Sequence, residues 1–167
     1  MGYKNIIGAV SDSSCIFKYS DDEQALQIFT NWKNGKPKMH LRRHVETIPY
    51  ANLAEYTTFI ETDTKNTGGV GTALIGDVLF GPLGAIGGAI LGRKTTVMVK
   101  QLGLAFKTKE GDEYVFPLVY SIRGLKSDSG EVMMANRRLE KMVAVFERIG
   151  TPFNADWHTS VDAWMKQ

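Results

Sequence analysis

Residues 68–92 constrain the fold of this chain more than any other stretch. More than half of its 17 glycines fall there, and from Val70 to Gly92 the only charged side chain is Asp77. A glycine inside a helix costs about 1 kcal/mol relative to alanine, so a helix of this composition is poor in water unless protein or lipid packs on it. Gly84, Gly88 and Gly92 recur at every fourth residue, a ridge of small side chains along which two helices can approach closely. Ala73, Gly76 and Ala85 add further small positions. About 20 apolar residues cross a bilayer as one helix, and this run is long enough. Gly81-Pro82 interrupts it, however, because proline removes a backbone bond and clashes with the preceding turn. The expectation is therefore a hairpin of two short helices, each about ten residues or roughly 15 Å long, and no full span.

Such a hairpin has three destinations: its own domain, another subunit, or the surface of a membrane. The candidate residues for self-association or membrane contact are Gly76, Leu79, Phe80, Gly84, Ile86, Gly88, Ile90 and Gly92. Arg93 and Lys94 suit either an interfacial anchor or a solvated loop.

On both sides of this insert the pattern is β. Ile16-Phe17 and residues 26–29 flank an acidic turn at residues 20–23, and Asn34-Gly35 is a hairpin turn pair. Residues 39–48 alternate loosely, and Pro49 sets off residues 50–53. Residues 56–61 are rich in β-branched and aromatic side chains, as a strand requires. Residues 95–107 and 113–121 form a pair about the turn at 109–112. The two-residue period places Tyr114, Phe116, Leu118 and Tyr120 on one face. Pro117 has no N–H for a ladder, which predicts an edge position or a bulge.

The period then changes. Val132, Ala135, Leu139, Met142, Val143, Phe146 and Ile149 recur at three- and four-residue steps, which predicts an amphipathic helix over residues 131–149. Asp128 with Glu131 reads as its capping arrangement, Gly150 as its C-terminal cap and Pro152 as its stop. In the tail, Trp157, Val161 and Trp164 share the spacing of one helical face. They read as anchors that dock the tail on the body, or as a surface for a protein partner.

A chain of 167 residues suits one domain with a single core, here residues 1–150 interrupted at 68–92, followed by a tail at 151–167. With 43% hydrophobic and 23% charged residues, wholesale disorder is excluded. The net charge of +2 is too small to imply a polyanion, so nucleic acid is not an expected partner. Cys15 is the only cysteine, which rules out an internal disulfide and fits a reducing compartment. Residues 1–10 lack the long apolar core of a signal peptide. The expected location is cytoplasmic, peripheral to the inner face of the membrane if the insert meets lipid.

The pattern Gly68-Gly69-x-Gly71-x-Ala73-x-x-Gly76-x-x-x-Phe80-Gly81-x-x-Gly84-Ala85-x-x-Gly88-x-x-x-Gly92 resembles the glycine-rich, glycine-zipper-like insert of uncharacterised bacterial and phage proteins with a pleckstrin-homology-like domain. In that family the insert follows a strand like residues 56–61, itself preceded by a segment like 48–53. Further strands and a closing helix like 131–149 come after it. The resemblance spans residues 14–150 in order of elements, with the glycine pattern as its only specific part. It implies an α+β fold, a strongly bent antiparallel sheet or small barrel closed by a C-terminal amphipathic helix, and it implies no catalytic residues. Asp77 and Pro82 depart from the pattern, and Asp77 would need a partner or water, which weakens lipid contact.

Chemistry-bearing constellations are not found. His40 and His44 in a strand would stand about 13 Å apart on one face, too far to share a metal ion. Cys15 lies beside apolar residues and reads as a buried structural thiol. No Gly-Lys-Ser/Thr ends the glycine run, so it is not a phosphate loop. Lys33, Lys36, Lys38, Arg42 and Arg43 form the one basic stretch that could meet lipid or nucleic-acid phosphates. Strand alternation would send Arg42 and Arg43 to opposite faces, and a solvated hairpin explains the stretch equally. The sequence thus predicts no enzyme, no cofactor and no metal site. It predicts a non-enzymatic module that self-associates through its insert or binds another protein. The alternatives are a peripheral membrane protein, or a phage or host factor that binds and inhibits another protein, the last resting on the family's occurrence in phages.

Overall fold

The computed structural model describes residues 2–7, 15–35, 44–63, 98–154 and 156–157. The insert at 68–92, the basic residues Lys36, Lys38, Arg42 and Arg43, and the tail from residue 158 onward lie outside the described residues.

In chain order the elements are β1 (Lys4–Ile7), β2 (Cys15–Ser20), β3 (Ala25–Thr30), β4 (Trp32–Lys33), β5 (Glu46–Pro49), a 3-10 turn (Tyr50–Asn52), β6 (Leu53–Asp63), β7 (Met98–Thr108), β8 (Glu113–Lys126) and helix α1 (Gly130–Ile149). They form two four-stranded antiparallel sheets, in the orders β1-β2-β3-β5 and β4-β8-β7-β6. Among the described strands the sheets keep free edges and do not close into a barrel, so the fold is α+β with the open rather than the barrel form.

The chain turns from one sheet into the other between Thr30 and Trp32. The Thr30 hydroxyl donates to the Val115 carbonyl of the second sheet at 2.6 Å and accepts from Trp32 N at 3.1 Å. A buried hydroxyl satisfied in this way pins the corner, because leaving it unpaired costs about 1–3 kcal/mol. Cys15, buried as expected, donates its Sγ–H to the same oxygen at 3.8 Å.

The core lies between the two sheets and the helix. Its centre is aromatic: Phe146 of α1 stacks on Tyr56 at 4.9 Å and meets Phe106 at 5.5 Å, while Phe17 of the first sheet meets Phe116 of the second edge-on at 5.5 Å. The stripe read from the helix period is the buried face, with Val132, Ala135, Leu139, Met142, Val143 and Phe146 all inside and Ile149 partly buried. The N-terminal cap is one residue later than expected: Ser129, not Asp128, accepts from Val132 N at 3.3 Å. A serine hydroxyl in extended backbone reaches the orphan amides of the first turn directly. Gly150 ends the helix at φ 84°, donating to the Phe146 and Glu147 carbonyls.

Three strand expectations need correction. Lys4–Ile7 is an additional strand on β2, and β6 and β8 run longer than their sequence signals. Asn34 and Gly35 both take positive φ, 52° and 105°, as a turn pair requires. The strand before them, β4, nevertheless pairs with β8, and β5 pairs with β3. Finally, Tyr114 and Phe116 face the core but Tyr120 does not, being 46% exposed. Leu102 pairs with Val119 and Gly103 with Pro117, so Leu118 is an extra residue that flips the alternation. Pro117 thus sits at a bulge, beyond the reach of the two-residue β4, where its missing N–H costs nothing.

Candidate functional site

The insert is mounted at the far end of the β6–β7 ladder. Asp63 and Met98 are ladder partners, and Met98 pairs in turn with Lys126 of β8. Adjacent strands lie about 4.8 Å apart, so residues 64–97 leave and re-enter the frame at neighbouring points. The root is irregular: register shifts fall between Glu61 and Thr62 on β6 and between Val99 and Gln101 on β7. On β8 the second shift throws Ile122 outward, 84% exposed, and Gly124 turns at φ 80°, where an added Cβ would meet Met98 Cβ at 3.0 Å. All eight insert residues singled out in the sequence lie outside the described residues, as do Lys36, Lys38, Arg42 and Arg43.

A cleft of about 700 Å³ opens where β5 faces β4, β8 and the β7–β8 turn, lined among others by Lys33, His44, Glu46, Asp112 and Tyr114. Lys33 Nζ donates to Glu46 Oε1 at 2.7 Å and lies 5.1 Å from the centre of the Tyr114 ring. Burial alone would lower the Lys33 ammonium, but its bonds to Glu46 and Tyr114 outweigh that and hold it above the ordinary lysine value. Tyr114 is pushed up to about 12, by burial first and by the Glu46 carboxylate second. Neither shift moves a proton toward neutral pH, so Lys33 and Tyr114 are not poised for acid–base chemistry. What the trio does is mechanical: it ties the first sheet, through β5, to the second, through β4 and β8. His44 stands exposed at the rim, and His40 lies outside the described residues. Among the described residues, no group of three His, Cys, Asp or Glu side chains comes together to hold a metal.

The second sheet's outer face, away from α1, carries a built arrangement that sequence reading missed. Ladder pairing places its side chains in rows: Glu55, Lys107 and Glu113; Thr57, Ala105, Val115 and Trp32; Phe59, Gly103 and Pro117; Glu61, Gln101 and Tyr120. Lys107 Nζ lies 3.2 Å from Glu55 and 3.7 Å from Glu113. Phe59, Ala105 and Val115 are buried as a second apolar cluster, flanked by Trp32 and Trp157.

The chain reaches this face by a defined route. After the helix, Pro152 O accepts from Tyr56 N at 3.0 Å and Asn154 N donates to Tyr56 O at 2.9 Å, so residues 152–154 run along the free edge of β6. The Asn154 side chain donates to Glu55 and accepts from the amides of Asp156 and Trp157, a side-chain turn that lifts the chain over the edge. Trp157 lands with its ring 4.1 Å below Lys107 Nζ. The expected docking of the tail is therefore present at Trp157. Its receiving residues come from three strands, and only the indole itself signalled it in the sequence.

Among the described residues no helix is long and apolar enough to cross a membrane. Compared with protein-family models, curated proteins and solved structures, the chain matches none of them.

Proposed function

We propose that this protein is a non-enzymatic interaction module that associates with itself through residues 68–92, using the two sheets and the helix as a rigid mount. The observation that carries this reading is the pairing of Asp63 with Met98. The two ends of the apolar excursion are thereby held at neighbouring points of one ladder. The glycine ridge of the excursion then offers the close approach that compensates for poor helix propensity. In this reading the mount is pleckstrin-homology-like and the insert a helical hairpin. Support for the first comes from two antiparallel sheets meeting at the Thr30 corner with a C-terminal helix against β7, β8 and β1. A cytoplasmic setting belongs to the same reading and is supported by the lone, buried thiol of Cys15.

The test is the native mass by light scattering. Gly84→Leu and Gly88→Leu should lower it, because a leucine on the ridge holds two helices apart, while partition between soluble and vesicle fractions stays the same. An unchanged mass defeats self-association. Flotation of the untagged protein with lipid vesicles, strengthened by Asp77→Ala, would assign the insert to a membrane surface instead.

A further inference from the structure

We propose that the cleft between β5 and the β7–β8 turn receives an extended, basic segment of a partner protein, which adds to β5 as a further strand. This surface does not involve the insert, so the proposal stands or falls apart from self-association.

The cleft wall is a strand seen edge-on. All of β5, Glu46, Thr47, Ile48 and Pro49, lines it, whereas a strand that turned a face to it would offer only every second residue. β5 is the last strand of its sheet and pairs with β3 alone among the described strands. The ladder fixes which of its backbone groups look outward. Tyr50 N donates to Gln24 O at 2.8 Å, and the register runs on with Pro49 opposite Ala25, Ile48 opposite Leu26 and Thr47 opposite Gln27. Bonded and non-bonded pairs alternate in an antiparallel ladder, so Ile48 exchanges bonds with Leu26, while Thr47 and Pro49 turn their backbone groups away from β3. Pro49 agrees with this count, because a residue without an N–H stands where β3 asks for none. The edge thus offers the Thr47 N–H and C=O and the Pro49 C=O, repeating about 7 Å apart along the cleft. Another strand carries donors and acceptors on the same repeat, and a small ligand does not.

Charge selects the partner. Glu110 and Asp112 of the β7–β8 turn stand on the opposite wall. Asn34 donates to Asp112 at 2.7 Å, which fixes the carboxylate without neutralising it. Lys33, the lysine that lines the cleft, is already taken by Glu46 at 2.7 Å, and among the described residues neither Glu110 nor Asp112 has a basic partner. Two uncompensated carboxylates attract a basic segment and repel an acidic one. A second cavity of about 350 Å³ shares Lys33, His44 and Glu46 with the first, so the opening continues past the ion pair.

The experiment titrates the full chain with a hexapeptide alternating lysine and valine, read by amide shifts and hydrogen exchange. The Thr47 N–H should shift and become protected, while the exchange of the Ile48 N–H, already bonded to β3, changes little. Thr47→Pro removes the outward N–H and none of the β3–β5 bonds, and should weaken binding about tenfold with the melting temperature kept. Glu110→Gln with Asp112→Asn should weaken it about fivefold, an effect that shrinks in high salt. No protection of Thr47 at millimolar peptide overturns the proposal. So does equal binding of a peptide with glutamate in place of lysine, or binding that survives Thr47→Pro unchanged. If the Thr47 amide is already protected in the free chain, the edge has another occupant and the proposal fails; loss of that protection on dilution would identify the occupant as a second copy.

Discussion

Under helix α1 the second sheet presents Tyr56, Leu104, Phe106 and Phe116; on the opposite face the same strands present Thr57, Phe59, Gly103, Ala105 and Val115. The inner side chains are large and meet a 20-residue helix at many points. The outer ones are small, polar or single, and their apolar cluster is flanked by individually placed groups, Trp32 and Trp157, with Lys107 over the second indole. One face is secured by redundancy, the other by placement. A lost contact within the aromatic core removes burial in bulk, whereas an outer loss removes one fitted piece and should leave the rest standing.

The largest effect belongs to the inner face. Phe146 is fully buried and touches Tyr56, Phe17 and Phe106. Phe146→Ala should cost about 3–5 kcal/mol in urea unfolding. A loss no larger than those on the outer face would break the comparison.

Alkali should act on the same side. Tyr50, Tyr56 and Tyr114 are each pushed up to about 12, in every case by burial first, with Asp21, Glu147 and Glu46 respectively adding to it. A phenol whose folded value lies above its unfolded value keeps its proton longer in the folded state. Its contribution is fully present below about pH 10 and fades as pH rises through 12. Stability should therefore fall across that window, and Tyr56→Phe should move the alkaline unfolding midpoint upward. A midpoint unmoved by the substitution would show that the buried phenol is not what limits the folded state.

Gly103 tests how closely the outer face is fitted. A methyl there would meet the Phe116 carbonyl oxygen and the Phe59 ring. Gly103→Ala should cost about 1–3 kcal/mol as overpacking. Phe59→Leu should not restore it, because the carbonyl is backbone and cannot move aside. Full rescue would mean that only the ring was in the way.

How much of this was legible in the sequence differs between the same two faces. Helix α1 and its stripe were readable because a 3.6-residue period repeats over 19 residues of one segment (131–149). The cap slipped to Ser129 because several polar residues compete within one turn. β1 and β4 escaped because four and two residues hold no period. The alternation over β8 failed at Leu118, since a bulge is set by the partner strand and not by the strand that carries it. Pro117 announced it all the same. The outer face was illegible for a different reason: Trp32, Phe59, Lys107 and Trp157 come from four separate segments, and only the ladder register brings them together.

Lys107 is the finest probe of that register. Its ammonium serves Glu55, Glu113 and the Trp157 ring at once, at 3.2, 3.7 and 4.1 Å, from a side chain that is 29% exposed. Partial exposure keeps the ion pairs weak, about 0.2–1 kcal/mol, and a cation over an indole contributes about 0.5–1 kcal/mol in such a setting. Lys107→Met keeps the aliphatic stem but leaves two carboxylates facing each other across the strand. It should cost about 1 kcal/mol, and the cost should shrink in high salt, which screens both the lost attraction and the new repulsion. Lys107→Arg should be close to neutral, since a guanidinium stacks on indole and pairs with carboxylates. Phe146→Ala should show no such salt dependence, because nothing it removes is charged. If both substitutions respond to salt alike, the two faces are not held by different means, and the distinction between redundancy and placement falls.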